Sequence, residues 1–112
     1  MGKSKERKAA AAAFRERKPR VGIYSVRCSA SGEYWVGRSA DLEAMRKRIL
    51  FTLAHRSNPH RSLQEAWNAF SAESFAFEEV EVLGQELSEV GQDLWLKRKL
   101  QHWLAELPAK RI

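Results

Sequence analysis

Two short apolar segments joined by a turn constrain the fold of this chain more than any other feature. Residues 21–28 and 33–38 are rich in β-branched and aromatic side chains, and a Ser-Ala-Ser-Gly segment separates them. Strand-forming segments with such a break between them are typical of a β-hairpin. We therefore expect two antiparallel strands, with Cys28 and Glu33 paired at the turn.

This pairing decides which side chains share a face of the hairpin. It places Tyr24 opposite Gly37 and Val26 opposite Trp35. Since side chains alternate between the two faces of a strand, all four lie on one face, with Tyr24 and Trp35 as diagonal neighbours. Glycine has no side chain, so the pattern predicts open space beside the Tyr24 ring. The expected result is a surface with two aromatic rings and a gap.

Two helices are predicted after the hairpin. Ser39 or Asp41 can cap the first helix. Its core face consists of apolar residues at helical spacing: Leu42, Met45, Ile49 and Leu53. A shorter apolar stripe over residues 63–70 predicts a second helix, for which Ser62 can be the cap.

The last third of the chain predicts one strand and one long helix. The strand covers residues 74–83, and its apolar positions change phase between Phe77 and Val80, which indicates a bulge or a change of face. The helix covers residues 87–107. Together with the hairpin, these elements predict an α+β fold with a three-stranded antiparallel sheet flanked by helices.

Residues 1–20 differ from the rest of the chain in charge. They carry eight Lys or Arg and two Glu side chains, so the whole net charge of +6 lies there and the remainder is neutral. Strong helix formers over residues 3–18 predict a basic N-terminal helix, which Pro19 ends. Because 112 residues are typical of a single domain, we predict a basic helical tail over 1–20 and one domain over 21–107.

Cysteine content and hydropathy indicate the cellular setting. Cys28 is the only cysteine of the chain and cannot form an internal disulfide, and no apolar run has the length of a membrane span. The sequence therefore predicts a soluble cytoplasmic protein that does not bind membranes.

The hairpin residues resemble the signature of a nuclease family. Gly22-Ile23-Tyr24 followed by Trp35-Val36-Gly37 is similar to the paired tripeptides of the GIY-YIG domain, and the likeness covers residues 21–106. The chain looks like the small stand-alone bacterial members that carry WVG in place of YIG. This resemblance implies the three-stranded α+β fold and a function on the phosphodiester backbone of nucleic acid.

The resemblance also implies catalytic positions. In the family, two signature tyrosines and a helix arginine surround the phosphate, and a glutamate on a later helix holds a divalent metal ion. The tyrosines correspond to Tyr24 and Trp35; an indole donates a hydrogen bond but cannot relay a proton as a phenol does. The arginine corresponds to Met45, with Arg48 one turn further along the helix, and the glutamate corresponds to Leu100. The candidate catalytic residues are therefore Tyr24, Trp35 and Arg48.

Basic side chains in the first half of the domain are candidates for contacts with phosphate, because positive charge dominates the affinity for nucleic acid. They are Arg38, Arg46, Lys47, Arg48, Arg56, His60 and Arg61. DNA is favoured over RNA as the partner. No metal ligand and no cofactor is predicted from the sequence. If nuclease activity is retained, Mg²⁺ or Mn²⁺ is required for it.

Three functions stay open at the level of sequence. The favoured one is a nucleic-acid-binding protein with the nuclease-like fold, in which hydrolysis is lost because the catalytic set is incomplete. The second is an active metal-dependent endonuclease whose shifted site uses polar residues near the cleft: Arg38, Arg46, Arg48, Asn58, His60 and Arg61. The third is a protein-interaction or regulatory module that uses the acidic second half of the chain.

Overall fold

The computed structural model describes residues 19–112, which form an α+β fold. The elements are β1 (Gly22–Cys28), β2 (Tyr34–Ser39), α1 (Leu42–Ala54), α2 (Arg61–Ala69), a 3-10 turn (Ala72–Ser74), β3 (Phe75–Val82), α3 (Glu89–Glu106) and β4 (Lys110–Arg111). The predicted N-terminal helix lies outside the described residues. Within residues 19–112, each helix is too short or too polar to cross a membrane.

Strands β1 and β2 form the predicted hairpin in the predicted register. Tyr24 pairs with Gly37. At the turn, the backbone N–H of Cys28 donates to the carbonyl of Glu33 at 2.9 Å. Gly32 has a φ of +77°, a left-handed conformation that glycine adopts without steric cost. The turn chemistry therefore determines which residues face each other across the hairpin.

Helix α1 begins at a predicted cap and buries the predicted face. The Asp41 carboxylate accepts a hydrogen bond from the backbone N–H of Ala44 at 3.1 Å, which satisfies one of the free amides of the first turn. The core face packs on the sheet as expected: Leu42, Ile49 and Leu53 are buried and Met45 is half-buried. The remaining face of α1 is left for solvent or a ligand.

Strand β3 pairs antiparallel with β1 and contains the predicted bulge. The register of the pair shifts between Ile23 and Tyr24, and Val80 is the additional residue of β3 at this point. Phe77 packs on one face of the sheet, while Val80 packs on the opposite face. The bulge lets one strand contribute apolar side chains to both faces.

The sheet has one strand more than the sequence predicted. The strand order is β3-β1-β2-β4, and β4 runs parallel to β2. The backbone N–H of Ile112 extends this pairing by donating to the carbonyl of Val36 at 2.9 Å. A two-residue strand shows no alternating pattern, so the sequence predicted the end of the domain at residue 107. The predicted three-stranded antiparallel sheet is therefore a mixed four-stranded sheet.

The sheet separates two apolar clusters. Helices α1 and α2 cover the face that carries Tyr24 and Trp35. Helix α3 covers the opposite face, where Val36 and Leu100 are buried. The residues that the family resemblance assigns to one catalytic centre are therefore divided between the two faces of the sheet.

Candidate nucleic-acid interface

Tyr24 is held in place by the hairpin and by β3. Its ring stacks on Phe77 with a centroid distance of 5.2 Å and an interplanar angle of 12°. The ring also lies directly over Gly37, where an added Cβ atom would be 2.5 Å from the phenol oxygen. The predicted gap at Gly37 was wrong, because the Tyr24 ring itself fills the volume that glycine leaves.

This packing determines the protonation state of the phenol. Tyr24 is only 3 % exposed, and burial raises the pKa of its phenol to about 12. A buried phenolate has lost its hydration, so the neutral form is favoured. At neutral pH the phenol carries its proton, as an unperturbed phenol also does, and burial makes its ionisation still less favourable.

The Tyr24 side chain forms part of the wall of a cavity of about 440 Å³ between the hairpin, α1, the α1–α2 loop and β4. The cavity is lined by Tyr24, Arg38, Met45, Arg48, Ile49, Asn58, Pro59, His60, Arg111 and Ile112. These residues come from five separate parts of the chain. The fold brings them together mainly because β4 closes the edge of the sheet next to α1.

Three arginines give this cavity its charge. Arg48 and Arg111 are exposed and form no ion pair within residues 19–112. Arg38 is 3.7 Å from the Asp93 carboxylate, and its Nη1 has no hydrogen-bond partner among the described residues. No carboxylate side chain of the described part of the chain lines the cavity. The site is therefore suited to an anion that accepts several hydrogen bonds from guanidinium groups.

Trp35 lies on the same sheet face as Tyr24 but does not reach the cavity. It is completely buried, and its indole N–H donates to the Ser62 hydroxyl at 2.9 Å. The ring packs against Phe75 with a centroid distance of 6.5 Å. This placement takes Trp35 out of the group of side chains that can touch a ligand. It also shows that Ser62 anchors α2 to the hairpin, whereas the sequence pattern suggested a helix cap.

Met45 and Leu100, which the resemblance aligns with the family arginine and glutamate, are apolar and lie on opposite faces of the sheet. Met45 lines the cavity, while Leu100 is 3 % exposed within the cluster on the opposite face of the sheet. Asp93, an acid on the same helix, pairs with Lys97 at 3.0 Å. Within residues 19–112, no group of three or more His, Cys, Asp or Glu side chains is placed to hold a metal ion. The residues present do not fit the divalent ion that the fold family implies.

The remaining basic candidates lie at different distances from the cavity. His60 lines it, and its backbone N–H donates to the Asn58 side chain at 2.9 Å. Lys47 pairs with Glu43 at 3.7 Å, and Arg61 pairs with Glu65 at 3.0 Å. Arg46 and Arg56 are exposed and lie outside the cavity lining, as do Lys47 and Arg61.

Arg111 is the cavity arginine that the sequence reasoning missed. It follows Pro108, after which no further element was predicted. The sequence carries a weak signal for this strand, because the basic pair Lys110-Arg111 precedes the apolar Ile112. Three residues are nevertheless too few to distinguish a strand from a loop.

Two solved structures have the fold of this chain. The catalytic domain of the homing endonuclease I-TevI has a TM-score of 0.66 and 23% sequence identity, and the match covers 82% of this chain and 97% of that chain. A point mutant of the same catalytic domain has a TM-score of 0.63 and 24% identity, with 79% and 84% covered. No protein-family model matches the chain, and no curated protein matches it significantly. The chain has the GIY-YIG nuclease fold, as its hairpin residues predicted.

Proposed function

We propose that this protein binds nucleic acid, and DNA in preference to RNA, through the arginine-lined cavity beside Tyr24, and that phosphodiester hydrolysis is lost or strongly weakened. One observation carries the proposal. A single cavity of about 440 Å³ is lined by three arginines and by Tyr24, whose phenol is protonated at neutral pH, and no Asp or Glu side chain of the described residues lines it.

The chemistry of the cavity suits a phosphate group. Guanidinium groups donate paired hydrogen bonds to phosphate oxygens, and the Tyr24 hydroxyl adds a neutral donor. Arg48 and Arg111 need not leave an ion pair within residues 19–112 in order to bind. Binding of this kind releases counterions from nucleic acid, so the affinity falls steeply as the salt concentration rises.

The same residues argue against efficient hydrolysis. Met45 supplies no positive charge at the position of the family arginine, and Leu100 is buried where the metal-binding glutamate is expected. Removal of one group that stabilises the transition state typically lowers the rate by about 100- to 1,000-fold. With both groups missing, we expect little of the rate acceleration that an endonuclease of this fold achieves.

A second candidate, an active endonuclease with a shifted site, is favoured by one observation. Of the polar residues that the sequence suggested for such a site, four line the cavity: Arg38, Arg48, Asn58 and His60. An imidazole and an amide next to the arginines can position a water molecule near a bound phosphate.

A cleavage assay under binding conditions separates the two candidates. Binding of a labelled DNA duplex is first measured over a range of salt concentrations, and plasmid cleavage is then measured at saturating protein with Mg²⁺ or Mn²⁺. We expect salt-dependent binding without cleavage. Cleavage that is lost in Tyr24→Phe establishes the shifted-site endonuclease instead. Phenylalanine keeps the ring that stacks on Phe77 and removes only the hydroxyl.

The binding site itself is tested by a pair of variants on α1. Arg48→Ala removes a cation that lines the cavity, whereas Arg46→Ala removes the same charge from a position outside it. The proposal predicts a larger loss of DNA affinity and a larger decrease of the salt dependence for Arg48→Ala. Equal losses for the two variants would show that the cavity has no special part in binding.

A further inference from the structure

We infer that Arg111 is a phosphate-binding residue of this cavity and that β4 serves to present it to the nucleic-acid backbone. The inference rests on the proposed nucleic-acid-binding function and assigns a part of it to a strand that the sequence did not reveal. It depends on three features of Arg111: its backbone is fixed, its guanidinium is free, and it lies where two cavities meet.

The backbone of Arg111 is fixed on both sides. Strand β4 pairs with β2, where Arg111 lies opposite Val36. On one side the Lys110 ammonium pairs with the Glu33 carboxylate at 3.2 Å. On the other side Ile112 donates its backbone N–H to the Val36 carbonyl at 2.9 Å and packs its side chain against the cluster around Tyr24. The short strand is therefore held by contacts that do not involve the Arg111 side chain.

The guanidinium of Arg111, in contrast, has no ion pair or side-chain hydrogen bond within residues 19–112. The residue is exposed and belongs to the lining of the cavity beside Tyr24. A long side chain on a fixed backbone loses less conformational freedom when it binds than one on a mobile loop. An anchored but unpaired arginine is thus well placed to bind an anion.

Arg111 also connects the two sides of the sheet edge. A second cavity of about 180 Å³ lies towards α3 and is lined in part by Arg38, Arg111, Lys97 and Gln101. Arg38 and Arg111 are common to both cavities. Basic side chains are therefore present on either side of β4: Arg48 lines the larger cavity, and Lys97, which pairs with Asp93 at 3.0 Å, lines the smaller one.

This arrangement indicates an extended polyanion. A single phosphate needs only one of the two cavities, whereas a nucleic-acid strand presents successive phosphates along its length. A backbone that crosses β4 passes Arg38 and Arg111 between the two cavities. Arg111 thereby adds positive charge from β4 to a cavity in which α1 supplies Arg48 and Met45 is uncharged.

The test compares Arg111→Ala with Arg98→Ala, which removes the same charge from α3, in the complete chain. Each loss of a phosphate contact lowers the slope of log affinity against log salt by about 0.9 for a DNA duplex, which corresponds to about eightfold weaker binding at about 0.1 M salt. We expect this change for Arg111→Ala. We expect an unchanged slope for Arg98→Ala, since Arg98 is exposed and lines neither cavity.

Two further measurements keep the result interpretable. Thermal unfolding should give nearly the same midpoint for Arg111→Ala as for the wild type, because the side chain makes no internal polar contact within residues 19–112. If Arg111→Ala does not fold, Arg111→Gln keeps much of the side-chain length without the charge and must then lower the slope by the same amount. If the wild type shows salt-dependent binding and Arg111→Ala has the same slope, Arg111 does not bind phosphate. This result would overturn only the role of Arg111. A wild type without salt-dependent binding would overturn the proposed function itself.

Discussion

Gly37→Ala tests how the cavity wall is built. The added methyl group would lie 2.5 Å from the phenol oxygen, 2.6 Å from Cζ and 2.9 Å from Cε1 of Tyr24. The ring cannot move away easily, because it is buried and stacked on Phe77 at 5.2 Å. Either the ring leaves its position or the hairpin shifts, and both disturb the wall of the cavity.

The expected cost follows from two opposing effects. Overpacking of this kind destabilises a protein by about 1–3 kcal/mol. Replacing glycine by alanine also restricts the unfolded chain, which stabilises the folded state by about 0.4–1 kcal/mol. We therefore expect a net loss of about 1–2 kcal/mol in the free energy of unfolding, together with weaker DNA binding because Tyr24 is displaced.

Urea denaturation followed by tryptophan fluorescence measures this loss. Gly84→Ala is the matched control, because an added Cβ atom at Gly84 meets no atom within 4 Å. A double-mutant cycle with Tyr24→Ala isolates the clash, since the cost of Gly37→Ala should fall when the ring is absent. If Gly37→Ala is as stable as Gly84→Ala, the close contact between Gly37 and the Tyr24 ring does not exist.

Two other predictions concern the aromatic residues of the hairpin. The pKa of Tyr24 is raised to about 12 by burial, so the folded state keeps a proton that the unfolded state loses from about pH 10 upward. The contribution of Tyr24 to the free energy of unfolding should be fully present below about pH 10 and should fall by on the order of 2 kcal/mol as the pH rises to about 12. In urea titrations, Tyr24→Phe should show a smaller decrease. If Tyr24→Phe loses as much stability at alkaline pH as the wild type, the raised pKa does not belong to Tyr24. Ser62→Ala removes the acceptor of the buried Trp35 indole N–H and should cost about 1–3 kcal/mol in the free energy of unfolding, without any change in the salt dependence of DNA binding. A changed salt dependence would place Trp35 nearer to the ligand than the structure does.

The hairpin shows how far sequence reasoning reaches in this protein. Alternation and turn chemistry are local, so the pairing of Tyr24 with Gly37 followed from the residues alone. The phase change between Phe77 and Val80 predicted the bulge for the same reason. Where a pattern repeats within one element, the sequence was sufficient to predict the element and the face that it buries.

The cavity was less predictable because it depends on contacts between distant parts of the chain. Local pattern placed Trp35 on the correct face, but only its contact with Ser62, distant in sequence, shows that the indole points into the core. Arg111 is added to the site by a strand of two residues. Neither contact has a local signature, so the sequence predicted Trp35 as a site residue and did not identify Arg111.

The most direct test of the account is an NMR titration of the isotope-labelled protein with a short DNA duplex. The cavity proposal predicts that the largest amide and side-chain shifts occur at Arg38, Arg48, Asn58, His60 and Arg111, and that they reverse when salt is added. Shifts confined to residues 1–20, or to the acidic strand β3, would contradict it and would place nucleic-acid binding outside the cavity beside Tyr24.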